Sequence, residues 1–366
     1  MNNMFRRHQL IIYLSLRLLS IVLGTAVLFT IIMEALTLLE QMSPILARHL
    51  GWIGIAHYMG LRLPLLFSSV LPLSMLIGTI VMLTQLTLNN EVTILKAAGL
   101  SSVGFISKLL PATLLLGVIC FIFHDQITPR SELNLAIWWN KTDPTPEKGK
   151  GFYFYQNLDI ISVDYIAYGG NMIKGVTIYK RKDLSHLESI FSAETAQYTN
   201  KQWNLSNAKA LHIAPGVPLE FTKLTKPEEM IWDTSLTPRA LVGLSMPSLP
   251  QSLQTMLNQL SNAAEPFRVP TNTIKTTIWA RLFIPIMFIV MLIIAIPVTS
   301  IPPRAGLKSW LPVYCLGAGL LFIIFQEVLR ALGKAGTLPA PIAVIPSLLI
   351  FILAASAIIL MIEEKT

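Results

Sequence analysis

The stretch LRLPLLFSSVLPLSMLIGTIVMLTQLTL, residues 61–88, decides the fold class of this chain. From Leu63 to Asn90 it has no ionisable residue, and a run of this length can cross the hydrocarbon core of a bilayer with some tilt. The composition agrees, because 53% of the 366 residues are hydrophobic and only 13% are charged, whereas an ordinary soluble domain is about 25% charged. The sequence therefore predicts an α-helical membrane protein.

Six apolar segments are long enough to span a membrane. They lie at about 14–42, 61–88, 100–123, 278–301, 310–329 and 338–362. Arg6 and Arg7 precede the first segment, as in a signal peptide, but the run is long and lacks a small-residue cleavage site. We therefore expect an uncleaved first span. Cys120 and Cys315 both fall inside spans, which argues against a structural disulfide.

A polar region, residues 125–272, separates the third and fourth spans. It holds 14 acidic and 14 basic residues, so the formal charge of +8 belongs to the rest of the chain, where it suits anionic lipid better than nucleic acid. Runs rich in β-branched and aromatic residues are separated by Gly and Asn/Asp turns at 151–157, 159–166, 172–180, 189–199, 202–213 and 218–224. These runs predict an inserted antiparallel sandwich or jelly roll. A helical pattern at 249–263 leads to the fourth span.

The predicted domains are 1–124 with three spans, 125–272 with the β-domain and its linkers, and 273–366 with three more spans. Six spans place both termini on one side of the membrane. That side receives eight basic residues near the membrane, Arg6, Arg7, Arg17, Lys96, Lys108, Arg304, Lys308 and Lys365, whereas the other receives six, Arg48, Arg62, Lys275, Arg281, Arg330 and Lys334. This small excess favours cytoplasmic termini and a β-domain outside the cytoplasm.

The segment NNEVTILKAAGLSS, residues 89–102, is too short and too polar to be a span. Asn89 or Asn90 can cap a short helix and Gly99 can end it. Four residues at helical spacing share one face of that helix: Glu91, Ile94, Leu95 and Ala98. Two interpretations remain open, an interfacial helix resting on lipid with Glu91 solvated, or a helix that docks into a groove lined with bases on a partner protein.

Charged residues near the spans are functional candidates. Glu34, Glu40 and Glu327 lie inside spans or near their ends, and Glu327 is placed to pair with Arg330 on one helix. Snorkelling explains any single base near the outer surface, but together these bases predict a cationic rim that binds a phosphorylated lipid. The rim consists of Arg48, Arg62, Arg130, Lys141, Lys275, Arg281, Arg330 and Lys334.

Motifs of catalysis and of nucleotide or metal binding are absent from the sequence. There is no GxxxxGK[ST], HExxH, GxSxG or Rossmann glycine pattern, and none of the six histidines has metal-ligand spacing. We therefore expect no catalytic residue, no metal site and no cofactor in this chain.

With these segments placed, the chain resembles the lipopolysaccharide-export permease family, LptF/LptG, along essentially its whole length. The most specific local match is NNEVTILKAAGLS. The pattern A-x-x-A-x-Y…W-x-L of the family's β-domain is matched by Ala193, Ala196, Tyr198, Trp203 and Leu205. The stretch LGKAGTLPAPIAVIPSLLIF at the last span is more similar to the LptG branch.

The resemblance implies a non-catalytic permease subunit in the inner membrane of a Gram-negative bacterium. Its implied partners are a paralogous LptF-like subunit, two cytoplasmic ATPase subunits that use ATP, a periplasmic β-jellyroll bridge protein, and lipopolysaccharide. The implied coupling helix covers about 89–100, with Glu91 facing a base on the ATPase. Its coupling residues are Asn90, Glu91, Ile94, Leu95, Ala98 and Gly99, and the lipid-headgroup residues are Arg48, Arg62, Arg130, Lys141, Lys275 and Arg281.

One stretch departs from the family. LptG members carry lysines near the outer end of the first span, whereas residues 34–50 here read EALTLLEQMSPILARHL, with Glu40 and no lysine. Either Arg48, Arg62 or Arg130 substitutes, or the headgroup carries fewer phosphates. The alternative function is a non-transporting scaffold that links inner-membrane and periplasmic partners. A membrane enzyme comes third, because the sequence shows no catalytic cluster.

Overall fold

A computed structural model of the chain describes residues 2–142, 151–183, 186–212, 224–225, 229–246, 248–261, 267, 269–301 and 309–364, and, within these, the side chains of all but residues 2–8, 224, 225 and 229. Arg304, Lys308, Lys365 and most of the strand predicted at 218–224 lie outside the described residues, as do the side chains of Arg6 and Arg7.

The chain forms two compact units. The first, which we call the helical unit, comprises Met1–Glu40, Leu63–Thr128 and Thr271–Thr366; the second, the β-unit, comprises Gln41–Arg62 and Pro129–Pro270. These boundaries lie close to the predicted divisions at 124 and 272. The difference is residues 41–62, which the sequence groups with the membrane part and the structure groups with the β-domain.

The helices, in chain order, are α1 (Asn2–Ala47), α2 (Gly51–Leu88), α3 (Glu91–Ala97), α4 (Ser102–Ile122), α5 (Thr128–Lys141), α6 (Pro238–Ser245), α7 (Leu253–Ser261), α8 (Thr271–Leu282), α9 (Ile284–Ala295), α10 (Leu311–Lys334) and α11 (Ile345–Glu363). A π-helical turn, Phe123–Ile127, joins α4 to α5. Within the described residues, five helical segments can cross a membrane, and α8 with the following helix to Ser300 makes a sixth if this bent pair is one span. The predicted class, a helical membrane protein with an inserted β-domain, is confirmed.

The bend between α8 and α9 measures 53°. Pro285 lies in the first turn of α9. A proline has no N–H to donate to the carbonyl four residues earlier, and its ring clashes with that carbonyl, so the helix breaks there. The fourth predicted span is therefore a broken helix.

The core of the helical unit is centred on α9. Nine of its residues are buried, among them Phe288, Met291 and Leu292. A helix that is apolar all round is stable only when other helices surround it, and residues of α2, α4, α10 and α11 belong to the same buried cluster. One side of α1 also belongs to this cluster, through Leu14, Leu18, Val22 and Ala26. The rest of α1 exposes large apolar side chains, as a lipid-facing span does.

Glycines allow two helix pairs to approach closely. A Cβ added to Gly117 of α4 would lie 2.8 Å from the Cα of Pro285 in α9, and one added to Gly78 of α2 would lie 2.9 Å from the Cα of Val22 in α1. Membrane helices use small residues in this way because dispersion contacts between backbones drive their association.

We predict that Gly117→Val destabilises the helical unit by about 1–3 kcal/mol, because the added atoms overlap the backbone of α9. Gly317→Val is the matched control, since a Cβ at Gly317 of α10 meets no atom within 4 Å. Thermal unfolding of the detergent-solubilised protein measures both. Equal midpoints for the two variants would contradict this packing argument.

The strands are β1 (Phe152–Gln156), β2 (Asp159–Ala167), β3 (Met172–Arg181), β4 (Leu187–Thr199), β5 (Gln202–Ser206), β6 (Lys209–His212), β7 (Leu224–Thr225) and β8 (Glu229–Trp232). They form one sheet in the order β1-β2-β3-β4-β5-β8, with β6 pairing with β4 and β7. All pairs are antiparallel. The predicted antiparallel β-domain is thus confirmed, while its jelly-roll subtype stays a prediction.

The run predicted as one strand at 202–213 is two strands. Asn207 has a left-handed backbone (φ 54°), which ends β5. The long strand β4 then pairs with β5 through Thr195–Thr199 and with β6 through Ser189–Ser192. The sheet branches at this point.

The inward-facing side of the sheet shifts by one residue across three neighbouring strands. In β3 the buried residues are Ile173, Val176 and Ile178, so the alternation skips at Gly175, which has φ +64°. The same skip occurs at Asp164 in β2 and Glu194 in β4. A single alternating pattern along each strand therefore does not describe the core.

Candidate functional site

Helix α3 connects α2 to α4 within the helical unit. Asn90, just before it, has a left-handed backbone (φ 59°) and no side-chain capping bond, and Gly99 beyond it has φ 90°. The helix predicted at about 89–100 is thus present, bounded by two residue types that tolerate positive φ.

The predicted face of α3 is divided between the core and the surface. Val92 is buried and Leu95 packs against the core, whereas Ile94 is 66% exposed. Leu95 therefore does not share an outward face with Ile94, because the row Val92–Leu95 lies against the helical bundle. We call Thr93, Ile94, Ala97 and Ala98 the exposed face of α3.

The carboxylate of Glu91 is bound within the chain. Arg17 of α1 donates to Oε1 at 2.8 Å, Tyr13 donates its hydroxyl proton to Oε2 at 2.8 Å, and Asn89 donates to Oε1 at 3.3 Å. Arg17 also donates to the Tyr13 hydroxyl. We call the side chains of Arg17, Tyr13 and Glu91 the Arg17–Tyr13–Glu91 cluster. The sequence offered one clue to it, the i, i+4 spacing of Tyr13 and Arg17.

The environment of Glu91 favours its charged form. Burial raises the pKa of this carboxyl, but hydrogen bonds from Arg17, Tyr13 and Asn89 together outweigh burial and hold the pKa below its usual value. Because the folded pKa is the lower one, the stabilisation is present above the ordinary glutamate pKa and is lost as the pH falls through the folded value. The cluster is therefore intact at neutral pH.

The end of α11 contacts the junction between α3 and α4. Glu363 accepts a hydrogen bond from the Ser102 backbone N–H at 3.1 Å, and Ser101 caps α4 through the Gly104 N–H. Burial lowers the pKa of Lys96, and the charge of Glu363 opposes that shift. A cavity of about 310 Å³ lies here, lined by Lys96, Gly99, Leu100, Ser101, Ser102, Ser300 and Glu363. The early turns of α1 and the end of α11 thus meet α3 at one end of the helical unit.

Four of the six candidate headgroup residues lie in the β-unit: Arg48, Arg62, Arg130 and Lys141. Arg48 donates to the Trp139 carbonyl and to Thr142 Oγ1 at 3.3 Å, with its guanidinium 4.0 Å from the centroid of the Trp139 ring. Arg62 lies over the Tyr58 ring at 6.0 Å. Arg130 and Lys141 are exposed.

The other two, Lys275 and Arg281, lie in the helical unit and differ from each other. Lys275 is exposed, but Arg281 forms an ion pair of 3.0 Å with Asp125, and the two side chains are 5% and 9% exposed. Arg281 is therefore not an exposed rim cation, because its charge is directed at a buried carboxylate. Sequence analysis missed Asp125, although a lone acid at the end of a span was a usable signal.

The pair predicted on α10 is present, with Arg330 donating to Glu327 at 2.7 Å. Glu34 of α1 is buried.

The β-unit also contains a cavity of about 320 Å³. Apolar side chains from five strands contribute to its lining, Ile161, Ile178, Phe191, Leu205 and Met230. Lys180, Asp159 and Asp233 add charges. This mixture resembles a ligand pocket, in which apolar walls carry a few charged groups.

Span-length helices, a short helix between two spans and an inserted antiparallel β-domain define a multi-pass membrane protein. Residues 12–362 match the family of the lipopolysaccharide export system permease LptF/LptG, and the chain belongs to that family. It is similar to the lipopolysaccharide export system permease protein LptG of Haemophilus influenzae, with 24% identity over 315 residues, 81% of this chain and 83% of the relative. It is also similar to LptG of Escherichia coli K12, with 20% identity over 321 residues, 82% of this chain and 84% of the relative.

Proposed function

We propose that this chain is the permease subunit of an ATP-driven transporter. It extracts lipopolysaccharide from the inner membrane and passes it to a periplasmic bridge protein toward the outer membrane. Family membership over residues 12–362 supports this role. ATP is hydrolysed by two separate cytoplasmic ATPase subunits, and an LptF-like subunit completes the membrane part.

The observation that carries the proposal is the exposed face of α3. Ile94 is 66% exposed, and the small residues Ala97 and Ala98 lie one turn further along a helix that is too short to span a membrane. Small apolar knobs of this kind insert into grooves of a partner protein. The ATPase is that partner, so α3 and both termini lie in the cytoplasm and the β-unit lies in the periplasm.

Lipid binding is proposed for exposed cations and for the β-unit cavity. Arg130, Lys141 and Lys275 present charge that can meet headgroup phosphates. Arg48 and Arg62 stand beside aromatic rings, which restrict their orientation. The cavity lined by Ile161, Ile178 and Phe191 offers apolar walls to acyl chains.

Mass spectrometry of the complex purified in lipid nanodiscs tests the proposal as a whole. We expect an LptF-like subunit, the ATPase and lipopolysaccharide in one particle. A complex that contains neither an ATPase nor a glycolipid would favour the scaffold instead.

Ile94→Asp tests the docking face directly. We expect ATPase co-purification to fall at least about tenfold, because a charge placed in an apolar groove costs more than 1.4 kcal/mol unless it is paired. Leu158→Asp is the matched control, since Leu158 is also an exposed apolar residue but lies in the β1–β2 turn. If the ATPase co-purifies with Ile94→Asp as well as with the wild type, α3 is not the docking site.

A further inference from the structure

We propose that the Arg17–Tyr13–Glu91 cluster fastens the coupling helix α3 to the first span, α1, so that motion of the ATPase is passed to α1. Arg17 and Tyr13 are then positioning residues for transport. The inference rests on the proposed function, which requires coupling between the ATPase and the spans. It assigns the path of that coupling from α3 to α1.

The length of α3 is the first argument. A helix of seven residues is far below the roughly 12–15 residues that an isolated helix needs in water. Its capping residue, Asn90, adds no side-chain bond. Contacts with neighbouring helices must therefore set its position, and these are the packing of Val92 and Leu95 on the core and the bonds of Glu91 to α1.

The geometry of the cluster is the second argument. Arg17 and Tyr13 lie one turn apart on α1, and each binds a different oxygen of the same carboxylate. Arg17 also binds Tyr13, so the three side chains form a closed triangle. Its ion pair is half-buried, with side-chain exposures of 21% and 28%, and the Tyr13 side chain beside it is exposed. Charge-assisted bonds to a carboxylate from two directions fix its position better than one exposed ion pair does.

The cluster changes the role expected of Glu91. Oε1 accepts from both Arg17 and Asn89, whereas Oε2 accepts from Tyr13. A carboxylate oxygen has two lone pairs, so Oε2 can accept one further bond from a base on the ATPase while Arg17 and Tyr13 still hold Glu91 to α1. The exposed face of α3, which includes Ile94, remains available to the partner. Docking and fastening thus use different sides of one short helix.

The consequence concerns α1. This helix continues from Asn2 to Ala47, and its residues from Gln41 onward belong to the β-unit. The backbone connects α3 directly to α2 and α4, whereas α1 is joined to α3 by side chains, among them this cluster. A pull on α3 is therefore transmitted to a third span.

The experiment uses the complete complex with its ATPase in nanodiscs. For Arg17→Gln we expect the ATPase to co-purify at the wild-type level and ATP hydrolysis to be retained. We expect roughly five- to tenfold less lipopolysaccharide released per ATP, the size expected for losing a half-buried charge-assisted bond. Tyr13→Phe should act in the same direction by about twofold. Arg239→Gln is the matched control, because Arg239 is an arginine of the β-unit that bonds to Asn134. If Arg17→Gln releases as much lipopolysaccharide per ATP as the wild type does, the inference is overturned.

Charge reversal separates fastening from direct docking. Arg17→Glu and Glu91→Arg should each lower release, and the double variant should recover most of it because the pair is restored with opposite polarity. If Glu91 instead binds a base on the ATPase, the double variant stays as poor as Glu91→Arg and loses the ATPase, which overturns the inference.

Hydrogen exchange of the α3 amides keeps the inference testable even if the proposed function fails. In the permease complex without ATP, the amide protons of Val92–Ala97 should exchange several-fold faster in Arg17→Gln than in wild type. The reason is that the hydrogen bonds of α3 open more often when the helix is released from α1. If the wild-type complex does not transport lipopolysaccharide but Arg17→Gln still shows the faster exchange, the proposed function is rejected and the cluster is kept. An unchanged exchange rate would reject the cluster.

Discussion

Replacing Arg281 by methionine is expected to destabilise the helical unit by about 3–5 kcal/mol, because it removes the cation opposite a buried carboxylate. Asp125 and Arg281 are both more than nine-tenths buried and lie 3.0 Å apart. The loss is large because Asp125 cannot recover the interaction from water. Denaturant or thermal unfolding of the detergent-solubilised protein measures it.

Two controls define this prediction. Arg239→Met removes an arginine whose bond to Asn134 is exposed, and should change stability by no more than about 0.5 kcal/mol. The double variant Asp125→Leu/Arg281→Met should be more stable than Arg281→Met alone, since it leaves neither charge of the pair without its partner. A double variant as unstable as the single one would show that the pair does not act as a unit.

The Asp125–Arg281 pair also connects two irregular points of the helical unit. Asp125 lies in the π-helical turn that follows α4, and Arg281 lies in the last turn of α8, directly before the break between α8 and α9. π-turns and helix breaks are frequent where membrane proteins bend or bind. The ion pair therefore joins two irregular points of the bundle and holds their relative position.

Replacing Trp203 by alanine is expected to destabilise the β-unit by about 3–5 kcal/mol, the usual cost of deleting a large buried aromatic side chain. Trp203 is fully buried, packs against Tyr198 and Trp232, and donates its indole N–H to the Leu236 carbonyl at 2.7 Å. Its removal leaves both a cavity and an unsatisfied acceptor. Near-ultraviolet circular dichroism of the solubilised protein follows the unfolding.

Trp203→Phe separates these two losses. It keeps an aromatic ring in the core but not the N–H donor, and should cost clearly less than alanine does. Trp52→Ala is the matched surface control, since Trp52 is highly exposed, and should stay within about 0.5 kcal/mol of wild type. Equal losses for Trp203→Ala and Trp52→Ala would contradict the assigned core.

Trp203 belongs to a sequence pattern that could be recognised before the structure was known. The spacing Ala193, Ala196, Tyr198, Trp203 and Leu205 marks the family, and in the structure Ala196 pairs with Leu205 and Tyr198 pairs with Trp203 across β4 and β5. The two pairs are nine and five positions apart, so a hairpin brings their members together. Patterns of this kind are readable because hairpin contacts are local.

The sequence by itself determined the properties that depend on local composition. These are the membrane spans, because the bilayer thickness sets a length of apolar chain, the antiparallel strands, and the short helix at 89–100. It also determined the family, since those elements follow one another in a specific order. Within the described residues, the structure bends the fourth span at Pro285 and divides the strand predicted at 202–213.

The tertiary structure alone decided which charges meet. Arg17 and Glu91 are 74 residues apart and Asp125 and Arg281 are 156 apart, and no periodicity links such positions. Hence the sequence placed Glu91 toward a partner and Arg281 on an exposed rim, whereas the fold binds Glu91 to α1 and buries Arg281 against Asp125. Hydropathy is summed along the chain, but an ion pair requires two side chains to converge in space, and helix packing alone determines that convergence.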